Sequence, residues 1–239
     1  MIDVIGTDAG APASLPEALQ ALVRQADLIA APQRMQPALQ QWLEGQCSTR
    51  CINSDDPISL CKSLAALNCN QRAVVLASGD PLWFGIGRVL IARLGREHLR
   101  FHPGPSSLQL AFARLGRPWQ NAEWISLHGR DSAPLIQRLQ QRPSALAVLT
   151  DPSRGGVDDV RRILSSSGLQ TSYALWLLEA LGHADERVQC LSSAEPIPTD
   201  LNPLHLVVLL AEPPSDTIPD SLPLFGLDDG LFLQHQDRP

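Results

Sequence analysis

The stretch that decides the fold is Ala73-Val74-Val75-Leu76-Ala77-Ser78-Gly79-Asp80-Pro81. Its first five residues are a continuous apolar run, which is typical of a parallel strand covered by helices on both faces. The Ser-Gly-Asp-Pro turn follows directly, at the carboxyl end of that strand. Ligands of open α/β sheets bind beyond the carboxyl ends of the strands. The stretch therefore predicts a small-molecule-binding loop in an α/β protein.

Strands and helices alternate on both sides of this stretch in the first half of the chain. Ser14 is a predicted N-cap and Pro16 suits the first turn of the helix that follows it. The predicted strands cover 2–6, 28–31, 73–77 and 99–101, and helices follow near 15–26, 33–43, 57–67, 84–94 and 108–115. This alternation predicts an open parallel sheet.

The second half repeats the α/β pattern after Gly116-Arg117-Pro118. The predicted strands cover 124–127, 145–150, 173–178 and 204–210, and the predicted helices cover 134–141 and 157–166, with Gly168 ending the second helix. We therefore expect an amino-terminal α/β domain over 1–116 and a carboxyl-terminal α/β domain over 117–212. A Pro-rich tail or linker over 213–239 completes the chain.

Composition excludes several classes of protein. The 239 residues carry a net charge of −6 with scattered basic residues, which disfavours a nucleic-acid partner. No apolar run approaches the ~20 residues of a membrane span, and no secretory signal is visible, so we expect no membrane association and a cytoplasmic protein. The five cysteines lack paired CxxC spacing, so we expect reduced thiols and no metal site.

Three turns with glycine or serine follow predicted strands of the first half: 6–10, 78–81 and 103–107. Glycine lets the backbone approach a ligand closely, and serine hydroxyls and N–H groups at a helix start are donors. Neither the Rossmann G-x-G-x-x-G pattern nor the phosphate-binding G-x-x-x-x-G-K-[ST] pattern is present. The turns thus favour a ligand held by backbone groups and by the Asp80 carboxylate.

The stretch Leu76-Ala77-Ser78-Gly79-Asp80-Pro81-Leu82-Trp83-Phe84-Gly85-Ile86-Gly87 and the loop Pro103-Gly104-Pro105-Ser106-Ser107 resemble those of the tetrapyrrole (corrin/porphyrin) methylases. Further similar segments are Ser126-Leu127-His128-Gly129-Arg130, Val148-Leu149-Thr150-Asp151 and Glu179-Ala180-Leu181-Gly182. The resemblance runs from residue 2 to about residue 211 and is greatest to the C5-methylating members of cobalamin synthesis. It implies two α/β domains with S-adenosyl-L-methionine in the cleft between them.

The resemblance also implies a set of cofactor-binding residues. Asp80 and the neighbouring backbone would hold the adenosyl or methionine part, with Gly6 allowing close approach beneath. Thr150 and Leu181 would form the adenine side. The complete set is Gly6, Gly79, Asp80, Pro81, Trp83, Ser106, Ser107, Leu108, Thr150 and Leu181.

The implied reaction is methyl transfer from the sulfonium to C5 of a precorrin-6/7-type macrocycle, a precorrin or cobalt-precorrin. His128 and Arg130 are the expected catalytic residues, for substrate contact or proton handling. Arg34, Arg88 and Arg130 are candidates for pairing substrate carboxylates. The implied partners are a second copy of the chain, in a homodimer, and a C15-methylating decarboxylase.

Alternatives remain open at two places. The first loop of the family usually reads Gly-x-Gly-Pro-Gly, and Asp8-Ala9 replaces its middle residues here. That change keeps a non-catalytic partner subunit as one alternative. A same-fold methylase with another substrate is a second, independent of this loop. Trp83 and Phe84 are candidates for core packing beneath the loop as well as for ligand contact.

Overall fold

The apolar runs of the first half form one parallel sheet. The computed structural model describes residues 1–44, 49–127, 132–151, 155–192 and 195–212. Within these residues the first sheet has five strands in the order β3-β2-β4-β1-β5, and all neighbouring pairs are parallel. The strands are β1 (Ile2–Thr7), β2 (Leu28–Ala31), β3 (Arg50–Asn53), β4 (Ala73–Ser78) and β5 (Leu99–His102). The predicted open parallel sheet is confirmed.

Helices cover the two faces of this sheet. One face packs α1 (Glu17–Arg24) and α2 (Gln36–Trp42) against side chains that include Ile5 and Ile29. The other face packs α3 (Pro57–Ala65) and α4 (Gly87–Leu94) against Val4 and Ala30. A short 3₁₀ turn precedes α2, and another follows α4.

The chain leaves β1 and β4 in opposite directions. The connection from β1 crosses one face through α1 to reach β2, and the connection from β4 crosses the other face through α4 to reach β5. The adjacent carboxyl ends of β1 and β4 therefore form the switch point, where open α/β sheets have a crevice for ligands. Thr7 and Ser78 pair at this end of the two strands.

The second half forms a mixed sheet. Its strands are β6 (Glu123–Ser126), β7 (Ala145–Leu149), β8 (Tyr173–Glu179), β9 (Arg187–Leu191) and β10 (His205–Ala211), in the order β6-β7-β10-β8-β9. The last strand, β10, is antiparallel to both β7 and β8. The helices of this half are α6 (Ala133–Gln140) and α7 (Gly156–Ser166).

The fifth helix, α5 (Ser107–Leu115), packs on the second sheet although it precedes residue 117. Its Leu108, Ala111 and Phe112 share an apolar cluster with Leu178 and Val208. The two halves are therefore joined by a packed core, and the division into domains 1–116 and 117–212 stays a prediction. The predicted tail over 213–239 lies outside the described residues.

Two predicted helix starts are wrong. Ser14 is not an N-cap, because α1 begins at Glu17 after Pro16 and the Ser14 hydroxyl donates to the Asp8 carboxylate instead. The helix expected from residue 84 begins at Gly87, because Phe84 has a φ of +51° and cannot belong to a right-handed helix.

Two strands escaped prediction, and both lie at sheet edges. The strand β3 is half-buried or exposed throughout, and β9 alternates partly buried and exposed residues up to Leu191. Neither therefore shows the continuous apolar run of a central strand.

Within the described ranges, no helix is long and apolar enough to cross a membrane. The same part of the chain contains no group of three His, Cys, Asp or Glu side chains placed to hold a metal ion.

Candidate functional site

A cavity of about 880 Å³ lies between the two sheets. Its lining includes Thr7, Gly79 and Ser106 from the first half and Thr150 and Leu181 from the second. Small-molecule sites occupy about 300–1,000 Å³ and favour the switch points of α/β sheets. The size and position are therefore those of a ligand site.

The floor of the cavity depends on two glycines, Gly6 and Gly104. A Cβ atom on Gly6 would lie 2.3 Å from the Gly104 nitrogen and 2.4 Å from the Gly79 carbonyl oxygen. A Cβ atom on Gly104 would lie 2.5 Å from the Gly6 carbonyl carbon. The turns after β1, β4 and β5 converge because Gly6 and Gly104 lack side chains, and Gly6 lies under the cavity rather than in its lining.

The loop after β4 is fixed by its own hydrogen bonds. The Gly79 N–H donates to the Thr7 carbonyl at 2.8 Å, which ties the loop to β1. The Asp80 carboxylate accepts from the Leu82 N–H at 2.8 Å, and the Pro81 carbonyl accepts from the Gly87 N–H at 2.8 Å. The carboxylate thus keeps one oxygen for a ligand. Pro81 itself is buried and outside the cavity lining.

The loop after β5 ends in a capping box. The Ser106 hydroxyl accepts from the Gln109 N–H, and the Gln109 side chain accepts from the Ser106 N–H at 2.8 Å, so Ser106 is committed to starting α5. Ser107 lines the cavity, and its hydroxyl has no partner among the described residues. Leu108 points its side chain into the core and is outside the lining, so it offers only its backbone N–H.

The opposite wall comes from one edge of the second sheet. Because β10 is antiparallel to β7 and β8, its amino end meets their carboxyl ends. This brings Thr150 and Leu181 together with His183, Leu204 and His205, all of which line the cavity. The Thr150 hydroxyl donates to the His205 carbonyl at 3.3 Å and joins the two strand ends.

A buried carboxylate holds this wall in place. Glu179 is fully buried and accepts from the Asn202 N–H at 2.8 Å and from Arg187 at 2.9 Å. Arg187 also pairs with Asp200 at 2.7 Å. These contacts fix the segment that leads into Leu204.

A second carboxylate fixes the turn after β8. Glu186 accepts from the Gly182 N–H at 2.6 Å and pairs with Arg114 of α5. The hydrogen bond from Arg114, with that from Gly182, holds the pKa of Glu186 below its usual value. This turn carries Leu181 and His183, so the ion pair attaches the wall to α5.

His205 has one committed ring nitrogen. Its Nδ1 lies 2.7 Å from the Asn202 carbonyl and so carries the proton of that hydrogen bond. Its Nε2 is buried and has no partner in the described structure.

The loop after β1, in which Asp8-Ala9 replaces the usual residues of the family, lies at the cavity, and Asp8 makes its hydrogen bonds within the same segment. The Asp8 carboxylate accepts from the Gly10 N–H at 2.9 Å and from the Ser14 hydroxyl. Asp8 and Ala9 both line the cavity, so this loop remains part of its wall.

The arginines predicted to pair substrate carboxylates differ in their position relative to the cavity. Arg34 lines the cavity and makes no ion pair with any described residue. Arg88 is exposed on α4 and outside the lining. His128 and Arg130, the predicted catalytic residues, lie outside the described residues.

Of the predicted cofactor-binding residues, the cavity lining contains Gly79, Asp80, Trp83, Ser106, Ser107, Thr150 and Leu181. Sequence reasoning missed His183, Leu204 and His205. For Leu204 and His205 the missing information is the direction of β10, because only an antiparallel β10 puts its first residues beside Thr150. His183 follows Leu181 in the turn after β8.

The fold and the cavity define an α/β protein with a cavity of small-molecule size where strand ends of its two sheets meet. Residues 1–195 match the model of the Tetrapyrrole (Corrin/Porphyrin) Methylases, and the chain belongs to this family.

Two relatives narrow the comparison. Over 161 residues the chain is 40% identical to the precorrin-6Y C(5,15)-methyltransferase [decarboxylating] of Sinorhizobium sp, a match that covers 66% of this chain and 38% of the relative. Over 130 residues it is 35% identical to the cobalt-precorrin-7 C(5)-methyltransferase of Salmonella typhimurium, covering 54% of this chain and 62% of the relative. The chain therefore matches less than two thirds of the length of each.

A solved structure supports the fold. The uroporphyrin-III C-methyl transferase from Thermus thermophilus, complexed with S-adenyl homocysteine, superposes with a TM-score of 0.60 at 19% identity. The superposition covers 87% of this chain and 91% of the other. The predicted tetrapyrrole-methylase fold is confirmed.

Proposed function

We propose that the protein is an S-adenosyl-L-methionine-dependent methyltransferase of corrin biosynthesis that methylates C5 of a precorrin-6/7-type macrocycle. The observation that carries this proposal is the cavity at the β1/β4 switch point in a chain of this family. Both relatives described above are C5-methylating enzymes by name, which favours C5 over other positions.

The residues of the cavity fit this cofactor. S-adenosyl-L-methionine carries a sulfonium and an ammonium cation, and the first wall offers the two carboxylates of Asp8 and Asp80 against the one positive charge of Arg34. The free Ser107 hydroxyl and the first N–H groups of α5 are donors for its carboxylate or ribose oxygens. Leu181 offers an apolar surface for a purine. These are the groups we assign to holding the cofactor, together with Gly79, Trp83 and Thr150, while Ser106 contributes only to the surface of the cavity.

The cofactor supplies an electrophilic methyl group, and the protein supplies orientation. A meso carbon conjugated with an enamine nitrogen is itself a nucleophile, so no covalent enzyme intermediate is needed. Correct alignment alone lowers such a barrier by about 7–11 kcal/mol. Loops fixed by their own hydrogen bonds, such as 78–87, suit that task because they hold a ligand without reorganising.

We assign substrate carboxylates to Arg34 at the cavity and to Arg130, and proton handling to His128. Arginine pairs a carboxylate with two parallel hydrogen bonds. Arg130→Ala is expected to raise the substrate KM while cofactor affinity stays the same. A parallel loss of cofactor affinity would remove Arg130 from this role.

We further propose that the protein acts in the cytoplasm as a homodimer and works with a C15-methylating decarboxylase. The first relative combines C5 and C15 methylation in one longer chain, by its name and length. Light scattering of the purified protein tests the homodimer, and co-purification with the C15 enzyme tests the partnership.

Calorimetric titration with S-adenosylhomocysteine tests the enzymatic function. The proposal predicts saturable binding of one ligand per chain. A flat titration up to near-millimolar ligand would refute it, and would favour a non-catalytic partner subunit with a disabled first loop.

A further inference from the structure

Phe84 is held in an unfavourable position at the cavity. Its side chain lines the cavity yet is 53% exposed. Its φ of +51° lies in the left-handed region, which a bulky residue rarely adopts. The exposed ring gains little burial in return for this backbone strain, and such outliers cluster at ligand sites.

The surrounding loop enforces this position. A Cβ atom on Gly85 would lie 2.7 Å from the Pro81 carbonyl oxygen, so the chain turns tightly just after Phe84. Trp83 packs against the apolar cluster of the second sheet, which includes Phe112. The Phe84 ring meets the Trp83 ring edge to face, with centroids 5.0 Å apart. Trp83 is the anchor, and Phe84 is the exposed member of the pair.

A second exposed apolar side chain lines the same cavity from the opposite wall. Leu204 is 43% exposed and belongs to the segment fixed by Glu179. Arg34, which makes no ion pair with any described residue, lines the cavity as well. The cavity therefore combines apolar surface from both halves with one available positive charge.

We propose that Phe84 and Leu204, on opposite walls of the cavity, contact the ring surface of the tetrapyrrole macrocycle, with Arg34 pairing one of its peripheral carboxylates. This inference rests on the proposed function and deepens it by naming residues that select the substrate. A macrocycle has a broad ring surface and an anionic rim, which match apolar side chains and an arginine without an ion pair among the described residues, all lining one cavity. The cofactor's groups are matched instead by Asp80 and Ser107.

Two features separate the macrocycle from adenine as the ring that Phe84 contacts. Phe84 and Leu204 remain substantially exposed, as expected of the open side of a cavity that must admit a large substrate. Thr150, which we assign to the cofactor, is 5% exposed. A ring in contact with Phe84 is therefore on the accessible side of the site.

Phe84→Gly is the decisive variant, because it removes the ring and relieves the left-handed strain together. The probe is uroporphyrin III, a stable polycarboxylated tetrapyrrole, followed by the shift of its Soret band on titration. We expect at least tenfold weaker porphyrin binding, unchanged affinity for S-adenosylhomocysteine, and a Tm equal to or above that of the wild type. Phe84→Trp is expected to restore porphyrin binding.

Leu82→Ala is the matched control, since Leu82 is 56% exposed in the same loop but lies outside the cavity lining. It should bind uroporphyrin III like the wild type. Wild-type porphyrin affinity in Phe84→Gly would overturn the proposal, as would an equal loss of S-adenosylhomocysteine affinity, which would assign the ring to adenine. Failure of the wild type to bind S-adenosylhomocysteine would instead refute the proposed function.

Discussion

The two walls of the cavity are built by different physical means. The wall from the first sheet consists of backbone turns that touch each other through Gly6, Gly79 and Gly104. The wall from the second sheet is a pair of segments held by the buried carboxylate of Glu179 and its partners. The first wall depends on the absence of side chains, and the second depends on charged side chains that are satisfied away from the cavity.

This difference determines which kind of substitution would disturb each wall. A methyl group added to the first wall meets backbone atoms that cannot rotate away. A group removed from the second wall leaves buried charges or donors without partners, which costs free energy of its own. Substitutions should therefore destabilise the first wall by crowding and the second wall by removing hydrogen-bond or ion-pair partners.

Gly6→Ala is expected to have the largest effect. Its Cβ atom would fall 2.3 Å from the Gly104 nitrogen, so β1 or the loop after β5 must shift. We expect a loss of about 3 kcal/mol in the free energy of unfolding, at the upper end of overpacking costs, and loss of S-adenosylhomocysteine binding. Urea unfolding and calorimetry provide the two measurements.

Gly116→Ala is the control for the first wall. Gly116 has a φ of +60°, but no atom lies within 4 Å of an added Cβ. The variant should lose only the conformational cost of about 1–2 kcal/mol and should keep ligand binding. If Gly6→Ala and Gly116→Ala lose the same free energy of unfolding and the same ligand binding, crowding at the floor of the cavity is unimportant.

Glu179→Ala tests the second wall. It removes the acceptor for the Asn202 N–H and the partner of Arg187, whose side chain is 40% exposed. Because Arg187 can turn to water, we expect a loss of about 2 kcal/mol, below the usual cost of breaking a fully buried pair. Ligand affinity should fall as well, because the segment carrying Leu204 is released.

Glu179→Gln is the matched control, since its amide oxygen can still accept from the Asn202 N–H. It should retain most of the ligand affinity. If Glu179→Ala also keeps full affinity for S-adenosylhomocysteine, the second wall does not need the Glu179 carboxylate to bind the ligand.

The hydrogen bonds that Asp3 of the first sheet accepts from Arg100 and His102 predict that the stability of the protein depends on pH. Burial would raise the pKa of Asp3, but hydrogen bonds from Arg100 and His102 at 2.6 and 2.7 Å outweigh it and hold the pKa below 3.8. A lowered folded-state pKa gives stability that is present above about pH 4 and lost as the pH falls through the folded value. Asp3→Asn should cost about 1 kcal/mol at neutral pH.

The same variant should lose less stability than the wild type between about pH 4 and pH 2, because its amide does not titrate. Urea unfolding across this range is the measurement. Parallel acid profiles for the two proteins would contradict the assignment.

Asp80→Asn is expected to have the smallest effect on stability. The amide oxygen still accepts from the Leu82 N–H, so the free energy of unfolding should change by less than about 0.5 kcal/mol. Losing the charge should weaken binding of S-adenosyl-L-methionine about tenfold, which corresponds to ~1.4 kcal/mol. Unchanged affinity in calorimetry would remove the Asp80 carboxylate from the site.

The sequence predicts the first wall better than the second. The strand β4 is readable because all of its residues from Ala73 to Ala77 are apolar, and the turn after it contains Gly79 and Asp80. The same local reasoning gives a wrong prediction at Phe84, where it places the start of a helix. Phe84 continues an apparently helical pattern, yet its left-handed φ depends on how Gly85 and Gly87 fold against Pro81.

The second wall is less readable because its residues meet through strand direction. Nothing in residues 203–205 shows that they lie beside Thr150, since this follows from β10 running antiparallel to β7. Glu179 reads as a surface acid by residue type, and its burial depends on Arg187 and Asn202 arriving from later segments. Long-range pairings of this kind carry no local sequence signal.

A crystal structure of the protein with S-adenosylhomocysteine tests the central claim most directly. We predict ligand density in the cavity, in contact with the loop of Gly79 and Asp80 on one side and with Thr150 or Leu181 on the other, while Phe84 stays free. Ligand bound elsewhere on the chain, or touching one wall only, would contradict a site assembled from both sheets.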